Sequence, residues 1–416
     1  MFFVFLRPFL VGCTINPNHP TSPRSALTTI LLLIIYLAFI SLGLPDSMLG
    51  AAWPTMQPEL GLPISGAGLI SLIISAGTIL SSLLSGRLIR RLGVGRLTLL
   101  SVLMTAVALF GFSLSNNYWL LCLLAVPLGL GAGAVDAALN HFVALHYAAR
   151  HMNWLHSFWG IGATAGPLIM ALMLTRTANW QNGYRVVSLI QFALVALLFL
   201  SLPLWKSFPE PDPEASAGAA PSAGAAQKFW SIPGIKPALV GFFCYCALEA
   251  TAGLWGATYL VQEKGVSEQT AAGWISTYYF GITLGRIVNG FLSNRWSSQT
   301  LIRLGMSLIA AGVLVLFASP GGLLDLLGFV LIGLGCAPIF PSMLHETPAR
   351  FGRENSSSLM GVQMASAYTG TTLVPPLVGV ISAAIGMAAY PGFLLLLLAG
   401  MVLANETTHT LVTRPS

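Results

Sequence analysis

Twelve apolar segments, each about 20 residues or longer, follow one another along this chain, and about 20 residues are what a helix needs to cross 30 Å of hydrocarbon. They fall near 27–49, 62–86, 97–115, 118–145, 153–175, 184–204, 235–261, 269–293, 300–318, 323–345, 356–384 and 387–404. Inside lipid a crossing segment must satisfy its own backbone hydrogen bonds, which a helix does and an isolated strand does not. The pattern therefore predicts an all-α integral membrane protein with twelve transmembrane helices in a lipid bilayer. Composition agrees: only 8 % of residues are charged, against about 25 % in an ordinary soluble domain.

The few charges orient the chain. With the N-terminus in the cytoplasm, fifteen Lys and Arg fall on that side and three (Arg176, Arg185, Lys264) on the other, leaving Arg286 inside a segment. Loops rich in Lys and Arg stay cytoplasmic, so both termini are expected there, in a bacterial inner membrane. The net charge of +6 reports this orientation and gives no reason to expect nucleic acid as a partner. Leu10-Val-Gly-Cys13 resembles a lipidation box, but no basic start and apolar run precede it, so residues 1–26 read as a cytoplasmic tail. Cys244 and Cys246 point apart on a helix and, with Cys122 and Cys336, read as small core residues and not as metal ligands.

Pro209 to Ala226 is rich in Pro, Ala, Gly and Ser without apolar periodicity, which makes 206–234 a flexible linker. It separates a six-helix bundle at 27–205 from another at 235–405, with a tail at 406–416. The halves echo each other. Gly77, Gly86, Gly129, Gly131 and His141 meet Gly281, Gly290, Gly333, Gly335 and His345 at a constant offset of 204. Gly166-Pro167-Leu168 meets Pro375-Pro376-Leu377 after a slip of five. Weak two-fold symmetry of this kind marks repeat-built transporters, whose sites lie between the repeats.

One stretch carries polarity to that interface. Gly129-Leu-Gly-Ala-Gly-Ala-Val-Asp136-Ala-Ala-Leu-Asn140-His-Phe142 sets a carboxylate and an amide four residues apart, on one helical face. Its glycines leave a surface that another backbone can approach. Charge at that depth costs at least about 2.5–3.5 kcal/mol and so marks a cavity or a partner.

Twelve segments in a six-plus-six arrangement resemble the major facilitator superfamily. Gly86-Arg-Leu-Ile-Arg90-Arg91-Leu-Gly93-Val-Gly-Arg96 is similar to its glycine-and-basic loop, with Arg90 where the family has Asp. The second-half echo holds Gly290, Asn294 and Arg295, and the resemblance gives these loops a conformational role. Gly43-Leu-Pro-Asp46, Asp136 with Asn140, and Pro338-Ile-Phe-Pro341 most resemble the fucose-permease-like sugar–proton symporters. That resemblance implies that Asp46 and Asp136 serve substrate binding and proton coupling.

Glu249 is the remaining acid well inside a segment. A carboxylic acid removed from water holds its proton nearer neutrality, so Glu249 either joins the proton coupling or pairs with a basic residue at the other half's interface. For substrate binding the candidates are Asn140, Trp255, Tyr278, Tyr279, Gln363 and His156. Aromatic faces can stack on a sugar ring and amides can read its hydroxyls, although the same residues also serve packing and helix–helix bonding. Arg286 reads as snorkelling or pairing toward the cytoplasm.

Nucleotide loops, a dinucleotide glycine motif and His-Glu-x-x-His are missing, so neither an enzyme nor a cofactor is expected. The reading is a monomeric secondary transporter that moves a sugar or similar small solute with protons. Gly162-Ala-Thr-Ala-Gly166-Pro167 matches half of an antiporter motif, which keeps proton-driven efflux as the rival; a non-transporting sensor is a further one.

Overall fold

The computed structural model describes residues 24–147, 149–206, 232–293, 295–351 and 356–413. The expected tails and linker therefore fall largely outside the described residues, as do Cys13 and Asn294. The described residues form helices joined by short turns, without a strand. The N-terminal half holds α1 (Arg24–Asp46), α2 (Met48–Glu59), α3 (Gly66–Leu92), α4 (Val94–Phe112), α5 (Tyr118–His146), α6 (Ala149–Thr177) and α7 (Trp180–Trp205). The C-terminal half holds α8 (Ile235–Gln262), α9 (Glu268–Leu292), α10 (Ser298–Ala318), α11 (Leu323–Phe351), α12 (Ser356–Ile385) and α13 (Tyr390–Thr413).

Taking α1 with α2 as one crossing gives twelve, as the hydropathy pattern predicts. Eleven are long and apolar enough to span a bilayer by composition alone. The twelfth, α9, has the length but not the hydropathy, because it carries Arg286 among tyrosines, threonines and glycines; it packs between α6 and α11.

Three segment ends differ from expectation. The first crossing does not stop at residue 49: the helix breaks at Ser47 and resumes to Glu59. Pro45 has no N–H for the carbonyl of Ser41, which accepts the Gln191 amide instead at 2.9 Å. Ser47 donates to Ala163 O at 2.8 Å, fixing the break against α6. Met48 to Met56 then stay buried between the halves. At the second segment, Arg90 and Arg91 sit in the last turn of α3 and not in a loop. The turn itself is Gly93, whose φ of +76° suits glycine. Gly86, Arg90, Arg91, Arg96, Gly290 and Arg295 are all exposed. At the C-terminus α13 continues through 406–413, with Arg303 held bidentately by Glu406.

The glycine repeat is used twice in one way. A Cβ on Gly129 would lie 2.9 Å from Ile74 Cα of α3, and one on its counterpart Gly333 would lie 3.1 Å from the Tyr278 carbonyl carbon of α9. Likewise Gly131 would meet Ser101 O of α4 and Gly335 would meet Gly305 O of α10, each at 2.6 Å. Backbones meet there, and Thr78 and Ser82 donate across to the carbonyls of Gly129 and Gly133.

The halves join through α2 with α8, α6 with α9, and α3 with α12. A Cβ on Gly50 would lie 2.9 Å from Leu254 Cα, and one on Gly68 would lie 2.9 Å from Pro376 Cα. Thr55 donates to Glu268 at 2.9 Å and Ser276 to Thr164 O at 2.7 Å. These contacts gather at the end opposite the linker. Toward the linker end, Gly290 of α9 and Gly361 of α12 meet open space.

Candidate functional site: a charged cavity between the halves

A cavity of about 430 Å³ lies between the halves, walled by α1, α3, α5 and α6 on one side and α8, α9 and α12 on the other. Leu49, Gly50, Gly253 and Leu254 floor it at the end where the halves meet. The break at Pro45 puts Asp46 at the end of α1 with its carboxylate exposed to this space. Trp159 Nε1 donates to Asp46 Oδ2 at 2.8 Å. On α5, Asn140 Nδ2 donates to Asp136 Oδ1 at 2.9 Å and to Asp136 O at 3.0 Å. The four-residue spacing thus orients the acid with its own helix's amide. Among the described residues neither Asp46 nor Asp136 forms an ion pair.

The opposite wall is compensated. Arg286 Nη2 of α9 lies 3.7 Å from Glu249 Oε1 of α8. The Tyr245 hydroxyl donates to the other Glu249 oxygen and reaches Cys336 O at 2.9 Å. Tyr278 donates to the Glu249 backbone carbonyl at 3.0 Å. Arg286 Cζ also stands 5.4 Å from the centre of the Trp159 ring. Trp159 therefore gives its N–H to an acid of its own half and its face to a cation of the other, a bridge across the interface.

Five predicted residues line the cavity: Asp46, Asp136, Glu249, His156 and Tyr279. Gly253 makes room for Tyr279, since a Cβ there would lie 3.0 Å from Tyr279 Cζ. His156 is exposed to the cavity one turn before Trp159, edge-on to Phe39. The pairing alternative for Glu249 is realised, but with an arginine of its own half. Asn140 reaches the site through Asp136.

Trp255, Tyr278 and Gln363 are corrections: in this conformation none faces the cavity. Trp255 is fully buried and donates to Pro375 O at 2.7 Å, with Gly379 against its ring. Tyr278 packs between Tyr279 and Phe329. Gln363 accepts from Thr347 at 3.0 Å beside a separate void of about 10 Å³. An aromatic or amide in an apolar helix turns toward whichever neighbour packs or bonds best, and hydropathy does not report that direction.

Residues the sequence reading passed over also line the cavity, notably Trp159, Tyr245 and Tyr368. A signal for two of them was present. The offset of 209 that aligns Pro167 with Pro376 also aligns Trp159 with Tyr368.

The family model of the Major Facilitator Superfamily matches residues 35–375 and, in a second match, 238–410. The chain belongs to the Major Facilitator Superfamily. The glucose/mannose transporter GlcP of Bacillus subtilis is 24% identical over 321 residues, covering 74% of this chain and 77% of that one. Among solved structures, a bacterial homolog to the human lysosomal transporter Spinster, inward-facing and unoccupied, is similar with a TM-score of 0.70 and 16% identity. That likeness covers 95% of this chain and 100% of the other. The fucose:proton symporter FucP of E. coli gives a TM-score of 0.61 at 17% identity, covering 91% and 98%. Members of the superfamily are transporters and not enzymes, with the repeat architecture found here, and this chain is a multi-pass membrane transporter.

Proposed function

We propose that this transporter carries a sugar or similar small polar solute together with protons, by alternating access of the cavity between its halves. The observation that carries the reading is the pair Asp46 and Asp136: two carboxylates at membrane depth, facing one cavity, with no basic partner among the described residues. An ionised acid in that position is costly, so protonation and solute binding are both ways to relieve it. Protonation of either acid favours reorientation, while Glu249, already held by Arg286 and Tyr245, tunes the C-terminal wall. The printed functions of GlcP and FucP, sugar transport in both, support the solute class.

The distribution of Lys and Arg supports a bacterial inner membrane location with both termini cytoplasmic. The cavity is then open to the cytoplasm and closed outside by α2, α8 and the start of α9. The protein acts as a monomer, since each chain holds both walls of its cavity.

The test is external pH in a lightly buffered suspension of de-energised cells expressing the protein, as sugars are added. Alkalinisation with one sugar, absent in Asp46→Asn, is the expected result. A silent panel in well-expressing cells, together with lowered ethidium accumulation, would replace symport by efflux.

A further inference from the structure

The cavity has a recognition face that neither the acids nor the family match assigns. On α12, Tyr368, Thr371, Thr372 and Pro375 succeed one another at helical spacing and all line the cavity. Thr372 is 8% exposed, and its hydroxyl oxygen has no hydrogen-bond partner in the fold. A buried hydroxyl without a partner costs about 1–3 kcal/mol, so such a group at a cavity wall calls for a ligand or water. Pro375 and Pro376 have no N–H to give to the carbonyls of Thr371 and Thr372, the residues four positions earlier. Two backbone acceptors are thereby released beside the unpartnered hydroxyl. One turn away, Tyr368 is 39% exposed, more open than the buried Tyr245 or the half-buried Tyr279 and Phe340 of the same wall.

Across the cavity stand Asp46 and Asp136, again acceptors. The strongest donors near them are engaged within the protein: Trp159 N–H on Asp46, Tyr245 on Glu249, and Arg286 on Glu249 and the Trp159 face. Three carboxylates face one guanidinium, which disfavours an anionic guest.

We propose that Tyr368, the Thr372 hydroxyl and the proline-released carbonyls of Thr371 and Thr372 form the C-terminal half of the solute site, selective for a ring that donates hydrogen bonds. The class is neutral cyclic polyols and amino sugars; sugar acids and sugar phosphates are excluded. The ring stacks on Tyr368, and its hydroxyls bridge α12 to Asp46 and Asp136, so that one solute touches both halves. This rests on the small-polar-solute reading above and adds which wall reads the solute and which charge it carries.

The test uses the purified full chain and its thermal unfolding midpoint, titrated with glucose, fucose, inositol, glucosamine and glucuronate. At least one neutral or amino ring should raise the midpoint saturably, and glucuronate should not. Thr372→Val, nearly isosteric, should weaken the apparent affinity about fivefold to tenfold, the worth of one hydrogen bond. Tyr368→Leu should weaken it by a similar factor through lost stacking, and Tyr368→Phe by less. The unliganded midpoint, read in the same scan, identifies any variant that fails to fold. Stabilisation by glucuronate equal to that by the neutral rings, wild-type affinity in both Thr372→Val and Tyr368→Leu, or no shift with any neutral or amino ring would each overturn the assignment. Binding without alkalinisation in cells would instead leave this face standing and remove proton symport.

Discussion

The first crossing of the N-terminal half ends α1 on Asp46, and α8, its counterpart in the second half, carries Glu249, one residue short of the repeat offset. Both acids face the same cavity. Among the described residues Asp46 receives an indole N–H and no cation, while the Glu249 carboxylate has a guanidinium and a phenol beside it and its backbone carbonyl accepts from Tyr278. The same divergence recurs at the linker end. There Gly95, Phe142, His146 and Trp205 pack as an aromatic corner, whereas the matching positions Gln299, Glu346 and Arg350 form a polar network with Glu406. Duplication preserved where backbones cross, because glycine contacts leave no alternative geometry. It did not preserve charge, because a side chain at a cavity or corner can change chemistry without moving a helix. In the proposed mechanism, asymmetry of this kind would let one wall respond to protons while the other holds its charge.

Replacing Asp46 or Asp136, the two cavity acids without a basic partner among the described residues, should have the largest effect. Asp136→Asn is expected to abolish proton-driven accumulation while solute exchange persists. Losing one coupled proton removes about 2.3 kcal/mol for each 100 mV of membrane potential, or about fiftyfold in accumulation. Radiolabelled uptake set beside counterflow measures both, and full accumulation by this variant would end the contrast between the walls.

Opening the compensated wall comes next. Arg286→Leu strands Glu249 and should lower stability by about 2–3 kcal/mol, somewhat below the cost of unpairing a fully buried ion, since both side chains remain 19% exposed. Adding Glu249→Gln to Arg286→Leu should recover most of the loss in a thermal melt. An Arg286→Leu variant as stable as the parent would mean that the pair contributes nothing to this wall.

The bridge between the walls is weaker. Trp159→Phe keeps a ring beneath Arg286 and removes the donor to Asp46, so the barrier should rise by about 1–2 kcal/mol and the transport rate fall about fivefold to thirtyfold. Trp159→Leu removes both contacts and should fall further; equal rates for the two variants would show that only the hydrogen bond matters.

Smallest of all should be Arg303→Gln at the polar corner. Its pair with Glu406 is exposed, and such pairs contribute little. The unfolding midpoint should stay within error of the parent, and a clear drop would make this corner a structural counterpart of the aromatic one.

The sequence by itself determined the number of crossings, the two-half architecture and the three acids of the cavity. Each of these rests on a free energy large enough to show in composition: apolar length against lipid thickness, and charge at depth against its solvation. It also exposed the glycine repeat, since a missing side chain is visible in sequence. Only the tertiary structure decided which way the aromatic and amide side chains turn. Trp255 and Tyr278 went into packing and Gln363 to Thr347, while Trp159, Tyr245 and Tyr368 faced the cavity. For a ring in an apolar helix, the free-energy difference between lipid, a neighbouring helix and a cavity wall is small, and it is set by the shape of the facing helix. The partner of Glu249 followed the same logic: Arg286 lies 37 residues away in sequence, and only the packing of α9 beside α8 brings it within 3.7 Å.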